Sequence, residues 1–156
     1  MAAPISQFEP YRVVAKVRTY PEAASQTFVR GDVLILDSTS DKGNKVKIAG
    51  ADAVAKIVGV AAQAATGTEG SSISVFSTED NEFIGNIDGT TALDADMTGT
   101  AYGLINTSGA VRVDTQDTTA TAVRITQLID PVGTVSGRVA FKFVDLVSAN
   151  APYRAA

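Results

Sequence analysis

The side chains most able to do chemistry in this chain of 156 residues are its carboxylates. Asp80, Glu82 and Asp88 flank one apolar segment, and Asp94 and Asp96 lie close together further along. Clustered carboxylate oxygens are the ligands that calcium prefers, and paired carboxylates can act as acid and base in hydrolysis. These acids do not recur at the alternate positions of the EF-hand calcium loop. We therefore interpret them as solvated carboxylates in turns.

Most other kinds of catalytic and metal site are excluded because two residue types are absent from the chain. The chain contains no histidine and no cysteine. It therefore lacks the commonest general base, thiolate nucleophiles, the usual zinc ligands and disulfides. Ser40 and Lys42 could pair as nucleophile and base, but both lie in a cluster of turn-forming residues. We predict a protein that is not an enzyme, with no catalytic residues, no metal site and no cofactor.

Two short motifs are better explained by structure than by ligand binding. Residues 67–70 are rich in glycine, but no Lys-Ser or Lys-Thr pair follows, as a phosphate-binding loop requires. Arg30, Gly31 and Asp32 form a triplet that occurs in cell-adhesion signals. Because the triplet leads directly into an apolar run, we interpret it as a turn before a strand.

The charge and hydropathy of the chain limit the kinds of partner that it can bind. The net charge is −4 and the thirteen basic residues are scattered, whereas nucleic-acid binding requires clustered lysine and arginine. No apolar run reaches the roughly 20 residues that span a bilayer. The first ten residues have no basic region and no apolar signal core. We expect no nucleic-acid partner, no membrane partner, and synthesis in the cytoplasm.

Alternation of apolar and polar residues predicts a chain made of short strands. Residues 51–65 are ambiguous between helix and strand, and we favour a strand at 54–61. Thr90–Met97 is the best helix candidate, because a threonine cap and acidic residues begin it. The predicted strands cover residues 12–20, 33–36, 45–48, 54–61, 72–77, 81–87, 100–106, 109–114, 122–129 and 137–144.

This spacing of strands predicts an all-β fold, a compact β-barrel or β-sandwich-like domain with an extended N-terminal arm and at most one short helix. Residues 1–20 form the arm and first strand, residues 21–147 a single β domain, and residues 148–156 a C-terminal tail.

Apolar groups near both ends are candidates for partner binding: Ile5, Phe8, Tyr11 and Tyr153. They either cover the domain's own core or dock on a neighbour, as an extended arm can by adding a strand to a partner's sheet. We expect removal of residues 1–12 to abolish or weaken binding and to leave the fold intact.

From about Phe28 onward the chain resembles bacteriophage head decoration proteins, also called cement proteins. The resemblance lies in strand patterns punctuated by glycine, and residues 1–18 match no motif of it. The segments are RGDVLILDS, KIVGVAAQAATGTEGSSISVFS, MTGTAYGLINTSGAVRVDTQDTT and LIDPVGTVSGRVAFKFV.

The resemblance implies a compact β protein, often a homotrimer, on the outside of an expanded icosahedral capsid. Such proteins bridge neighbouring copies of the major capsid protein and stiffen the shell, and some use an N-terminal arm. The expected partners are therefore the major capsid protein and the chain itself, and the expected location is the capsid exterior of the virion. The alternatives are a head-fibre base, a tail component, a host- or carbohydrate-binding β module, or a trimeric β nucleotide hydrolase.

Overall fold

Eleven strands and one short helical turn make up the described part of the chain. The computed structural model describes residues 8–11, 16–37, 45–49, 57–79, 81–107, 110–119 and 121–144. The strands are β1 Glu9–Pro10, β2 Val17–Pro21, β3 Val33–Leu36, β4 Val46–Ile48, β5 Ile57–Ala61, β6 Ser72–Ser77, β7 Phe83–Asn86, β8 Ala101–Thr107, β9 Ala110–Asp114, β10 Val123–Leu128 and β11 Arg138–Phe143. The predicted all-β fold is confirmed.

Two antiparallel sheets pack together as a β-sandwich. The first sheet has six strands in the order β1-β7-β11-β10-β8-β9, and the second has five in the order β2-β6-β5-β3-β4. Two hairpins are formed by strands that follow each other in the chain, since β3 pairs with β4 and β8 with β9. Residues 145–156, which include the predicted tail, lie outside the described residues.

The core between the sheets follows from the alternation along β11. Val139, Phe141 and Phe143 are buried, whereas Lys142 on the opposite face is exposed. The two neighbours of β11 in the sheet, β7 and β10, place Phe83 against the ring of Phe141 and Ile125 in the same core cluster. These three residues therefore form the inward face of β11.

Strand β3 of the second sheet is buried on both faces, which explains its continuous apolar run. Val33 and Ile35 belong to the core between the sheets, whereas Leu34 belongs to a separate cluster on the other face. That outer cluster is completed by Phe28 from the preceding loop. The chain itself therefore covers both faces of this strand.

The predicted helix at Thr90–Met97 is wrong except for one turn of 3₁₀ helix at Ala95–Met97. The backbone of Leu93 bonds outside its own segment, receiving from Gly133 N–H at 2.8 Å and donating to Thr134 O at 2.9 Å. Asp94 is extended and caps the turn through its side chain. Tertiary hydrogen bonds thus outweigh a weak local preference for helix.

The ambiguous segment at residues 51–65 contains a strand, β5, from Ile57 onward, and residues 51–56 lie outside the described residues. Gly59 in the middle of this strand has a φ of +153°. A Cβ at this position would lie 2.0 Å from the carbonyl oxygen of Phe76 on β6. Only glycine allows β5 to approach β6 this closely.

We expect Gly59→Ala to lower the free energy of unfolding by about 2–5 kcal/mol, because strain and overpacking combine there. Gly67→Ala is the matched control, since Gly67 has a φ of +81° but faces open space. It should cost about 1–2 kcal/mol. Urea unfolding of both variants checks the prediction, and equal losses would contradict it.

Candidate functional site

The four predicted partner-binding residues fall into different environments. Phe8 is completely buried in the domain's own core, so it follows the first of the two alternatives proposed for these groups. Tyr11 is partly buried. Ile5 and Tyr153 lie outside the described residues, and their role in binding stays a prediction, as does that of Tyr11.

Phe8 fills a socket on the first sheet. Its ring centroid lies 4.7 Å from that of Phe141, with the planes at 69°, an edge-to-face arrangement. The floor of the socket is Gly85, where an added Cβ would lie 2.6 Å from the Phe8 ring. The absence of a side chain at residue 85 therefore makes room for the aromatic ring.

Residues 8–11, which we call the N-terminal strap, connect the two sheets at one edge. Phe8 N–H donates to Gly31 O at 2.9 Å, just before β3 in the second sheet. Tyr11 N–H donates to Glu82 O at 2.6 Å, just before β7 in the first sheet. Between them, β1 pairs with β7. The expectation that removal of residues 1–12 leaves the fold intact is therefore corrected, because that deletion removes a core side chain.

The Arg-Gly-Asp triplet at residues 30–32 has a structural role. The Asp32 carboxylate is buried and accepts a hydrogen bond from Val29 N–H at 2.9 Å. Burial raises the pKa of Asp32, although the Val29 hydrogen bond acts in the opposite direction. Arg30 pairs with Glu9 of the strap at 3.2 Å and lies 4.9 Å from the Phe76 ring centroid. The interpretation as a turn is confirmed.

Two of the five clustered acids are buried, so the interpretation of solvated turn carboxylates is wrong for them. Glu82 accepts a hydrogen bond from the Thr126 hydroxyl. Asp88 accepts from Thr115 N–H at 3.1 Å and from the Thr115 hydroxyl at 2.6 Å, and also from the Thr91 hydroxyl. These carboxylates join loops and strands that are distant in sequence.

The remaining acids agree with the prediction or cannot be compared with it. Asp94 and Asp96 are exposed at the 3₁₀ turn, and Asp94 accepts from Asp96 N–H at 2.9 Å. Asp80 lies outside the described residues. Within the residues that the structure describes, no group of three or more acidic side chains could hold a metal ion.

A buried acid that the sequence did not single out is Glu22. Its carboxylate accepts from Thr66 N–H at 2.8 Å, from the Thr66 hydroxyl at 2.7 Å and from Gly67 N–H at 2.9 Å. Burial acts to raise the pKa of Glu22, but these hydrogen bonds outweigh it and the pKa is lowered. Glu22 thus holds the 66–67 turn in place. No local pattern marks it, because its partners lie more than forty positions away.

Strand β2 is the most exposed strand and lies at an edge of the second sheet. Ser77 N–H donates to Lys16 O at 2.9 Å, and Glu22 N–H donates to Ser71 O at 2.8 Å. Because antiparallel pairs alternate, the backbone groups of Val17 and Thr19 point away from β6. The side chain of Val17 is also exposed.

The comparisons with known proteins add no identification: no family model, no curated protein and no solved structure matches this chain. In the described ranges, no helix has the length and apolar character needed to cross a membrane. The geometry shows carboxylates that fasten loops, an exposed edge strand, β2, in the second sheet, and an N-terminal strap that is anchored at the edge of the first sheet.

We expect Phe8→Ala to lower the free energy of unfolding by about 3–5 kcal/mol, because it empties a socket in the core. Glu9→Ala is the matched control in the same strap, since it removes only an exposed ion pair with Arg30. That loss should be about 0–1 kcal/mol. Urea unfolding measures both, and a loss for Phe8→Ala no larger than the control's would show that the strap is not part of the core.

We expect Glu22→Gln to flatten the dependence of stability on pH. Because the folded pKa is lowered, the carboxylate stabilises the native state at neutral pH. That contribution is lost as the pH falls through about 4.3, the ordinary glutamate pKa, toward the folded value. Glu69→Gln, which removes an exposed carboxylate paired with Lys45, is the control. A Glu22→Gln deficit that stays constant from neutral to acidic pH would contradict the prediction.

Proposed function

We propose that this chain is a structural, non-enzymatic protein of a bacteriophage virion. It binds the outside of an expanded icosahedral capsid as a homotrimeric decoration protein and stabilises the shell through contacts with the major capsid protein. The observation that carries the proposal is the anchoring of the N-terminal strap by Phe8, which is completely buried. The segment that precedes Phe8 is therefore attached to the domain at a fixed point.

The anchor limits which residues of the arm reach a partner. Ile5 lies three residues before Phe8, and a fully extended chain of that length spans about 10 Å. Ile5 is the residue that contacts the capsid in the proposal, in place of Phe8. A side chain this close to a fixed point loses less conformational entropy on docking than one at the end of a long tether.

The distribution of charge favours a protein surface as the partner. Charged residues make up 19% of the chain, against about 25% in typical globular proteins. The buried acids fasten loops through hydrogen bonds, as Glu22 and Asp88 do. The remaining lightly charged surface can be covered by a neighbour at a low desolvation cost.

Stabilisation of the shell follows from preferential binding. A protein that binds only the expanded capsid shifts the equilibrium toward that state by mass action. Three arms in one trimer raise the effective concentration of each contact, so weak individual contacts add up to stable decoration. No chemical reaction is required.

Removal of residues 1–7 tests the proposal, because it spares Phe8 and the strap. We expect the truncated protein to keep the unfolding midpoint of the full chain within a few degrees and to bind expanded, undecorated capsids at least about tenfold more weakly, a loss of about 1.4 kcal/mol. Ile5→Ser should reproduce most of the loss, and Ala3→Ser is the matched control. Co-sedimentation with capsids of the phage that encodes the chain measures the binding.

Two results would contradict the proposal. Mass spectrometry of purified virions that finds no trace of the protein would remove the virion role. Equal capsid binding by the full and truncated chains would remove the arm's role and leave the remaining surface to account for binding.

A further inference from the structure

The outer face of the hairpin formed by β8 and β9 carries an arginine that has no partner. Arg112 on β9 lies directly opposite Ile105 on β8. The adjacent pair, Leu104 and Val113, is buried in the core, so the alternation of side chains along a strand places Arg112 and Ile105 on the outer face. Among the residues that the structure describes, Arg112 forms neither a hydrogen bond nor an ion pair.

Packing holds the guanidinium group of Arg112 in place. Its Nε is enclosed by the protein and has no acceptor. Its Nη1 lies over Gly89, at 3.5 Å from the position that a Cβ of residue 89 would occupy. The backbone beside Gly89 is itself attached to β9, because Asp88 N–H donates to Val113 O at 2.9 Å. The guanidinium group is therefore ordered before any partner binds.

The two Nη groups of Arg112 are accessible from outside. Neither belongs to the enclosed atoms that lack an acceptor, and the residue as a whole is only partly buried. Together Nη1 and Nη2 form a planar fork that matches the two oxygens of a carboxylate. A cation that is already ordered loses less conformational entropy in forming an ion pair than a mobile surface side chain does.

The missing partner is a cost that the fold carries. An enclosed N–H group without an acceptor lowers stability by about 1–3 kcal/mol. The chain has 17 acidic and 13 basic residues, so carboxylates are in excess, yet none of those described pairs with Arg112. A polar group left unpaired in this way requires an explanation, and contact with another molecule supplies one.

An apolar side chain lies beside the fork. Ile105 is 36% exposed, and Gly89 is exposed as well. An ordered arginine next to an exposed apolar side chain on a strand is typical of the centre of a protein–protein interface. The group that fits this surface is a carboxylate with an apolar side chain next to it.

The charge of the chain favours a protein carboxylate over a polyanion. The net charge is −4, which repels nucleic acids and anionic membranes. Binding to such phosphate-rich surfaces depends on several clustered cations, whereas this face presents one arginine.

A second copy of the chain is a poor source of the carboxylate. Its accessible glutamates Glu9, Glu69 and Glu79 are already paired with basic side chains. Asp94 and Asp96 are exposed, but the apolar residues next to this pair, Leu93 and Met97, are buried and cannot contact Ile105.

We infer that Arg112 and Ile105 form a binding site for an acidic side chain of another protein. Nη1 and Nη2 of Arg112 donate to the two oxygens of an aspartate or glutamate, and an apolar residue next to that acid packs on Ile105. The major capsid protein is the partner in the proposed function. The inference rests on the proposed function for the identity of the partner, whereas the specificity for a carboxylate follows from Arg112 itself.

A titration with sodium acetate tests the carboxylate site without a capsid. Nuclear magnetic resonance detects the Nε–Hε signal of Arg112, which is identified by its absence in Arg112→Lys. We expect acetate to shift this signal further than that of Arg124, because Arg124 is exposed and its Nη1 already donates to Gly99 O. Sodium chloride at the same ionic strength should shift neither signal appreciably, since it supplies charge without a planar pair of oxygens.

Variants of Arg112 test the site on expanded, undecorated capsids. We expect Arg112→Gln to bind at least about tenfold more weakly in co-sedimentation, a loss of about 1.4 kcal/mol. Arg112→Lys should bind with an intermediate affinity, because it keeps the charge and loses the fork. Lys142→Gln is the matched control, since Lys142 is an exposed cation on β11 of the same sheet. Arg112→Gln should keep the unfolding midpoint of the wild type, because Arg112 has no hydrogen bond to lose.

The inference is overturned if acetate shifts the Arg112 signal no further than that of Arg124, or if Arg112→Gln binds capsids as well as the wild type or no worse than Lys142→Gln. Weaker self-association of Arg112→Gln in sedimentation equilibrium would make a second copy the occupant and would also contradict it. A wild type that fails to bind capsids contradicts the proposed function and the capsid protein as the partner, while an acetate-dependent shift of Arg112 would still support the carboxylate site.

Discussion

Four phenylalanines packed between the two sheets are the contact on which the rest of the structure depends. Phe141 lies at the centre, 4.7 Å from the ring of Phe8 and 6.1 Å from each of Phe83 and Phe143. Because β11 is an inner strand of the first sheet, this cluster joins β1, β7 and β11 into one unit. Aromatic burial is the largest single contribution that side chains make to such a core. The strap, the first sheet and the sandwich therefore form together.

Outside the core, acidic side chains hold turns and loops against the sandwich through hydrogen bonds. Glu22 fastens the 66–67 turn and Asp88 joins two loops, while the partly buried Asp130 closes the base of the loop at residues 130–137. Each makes hydrogen bonds that offset the cost of burial. The consequence is that these turns are fastened to the sandwich by side-chain hydrogen bonds in a chain without cysteine.

The strands could be predicted from the sequence because alternation along β11 and the apolar run of β3 are local patterns. The role of Phe8 could not be settled, since one apolar residue near a terminus fits a core or a partner equally well, and only the socket at Gly85 decides between them. Glu22 gave no signal because its partners are distant in sequence. The prediction of a helix at residues 90–97 was wrong for the same reason, because the backbone of Leu93 forms hydrogen bonds with a loop forty positions away.

The residues on β2 restrict the kind of contact that this edge can make. Pro21 has no N–H to donate, and Lys16 and Arg18 place charge along the strand, which are features that protect exposed edges from uncontrolled strand addition. A partner that approaches β2 therefore gains more from side chains such as Val17 than from a continuous ladder of backbone hydrogen bonds. Contact through side chains satisfies this constraint better than the addition of a strand does. In the proposed function, residues that precede the strap make the contact with the shell, and the strap itself pairs with β7 in the other sheet.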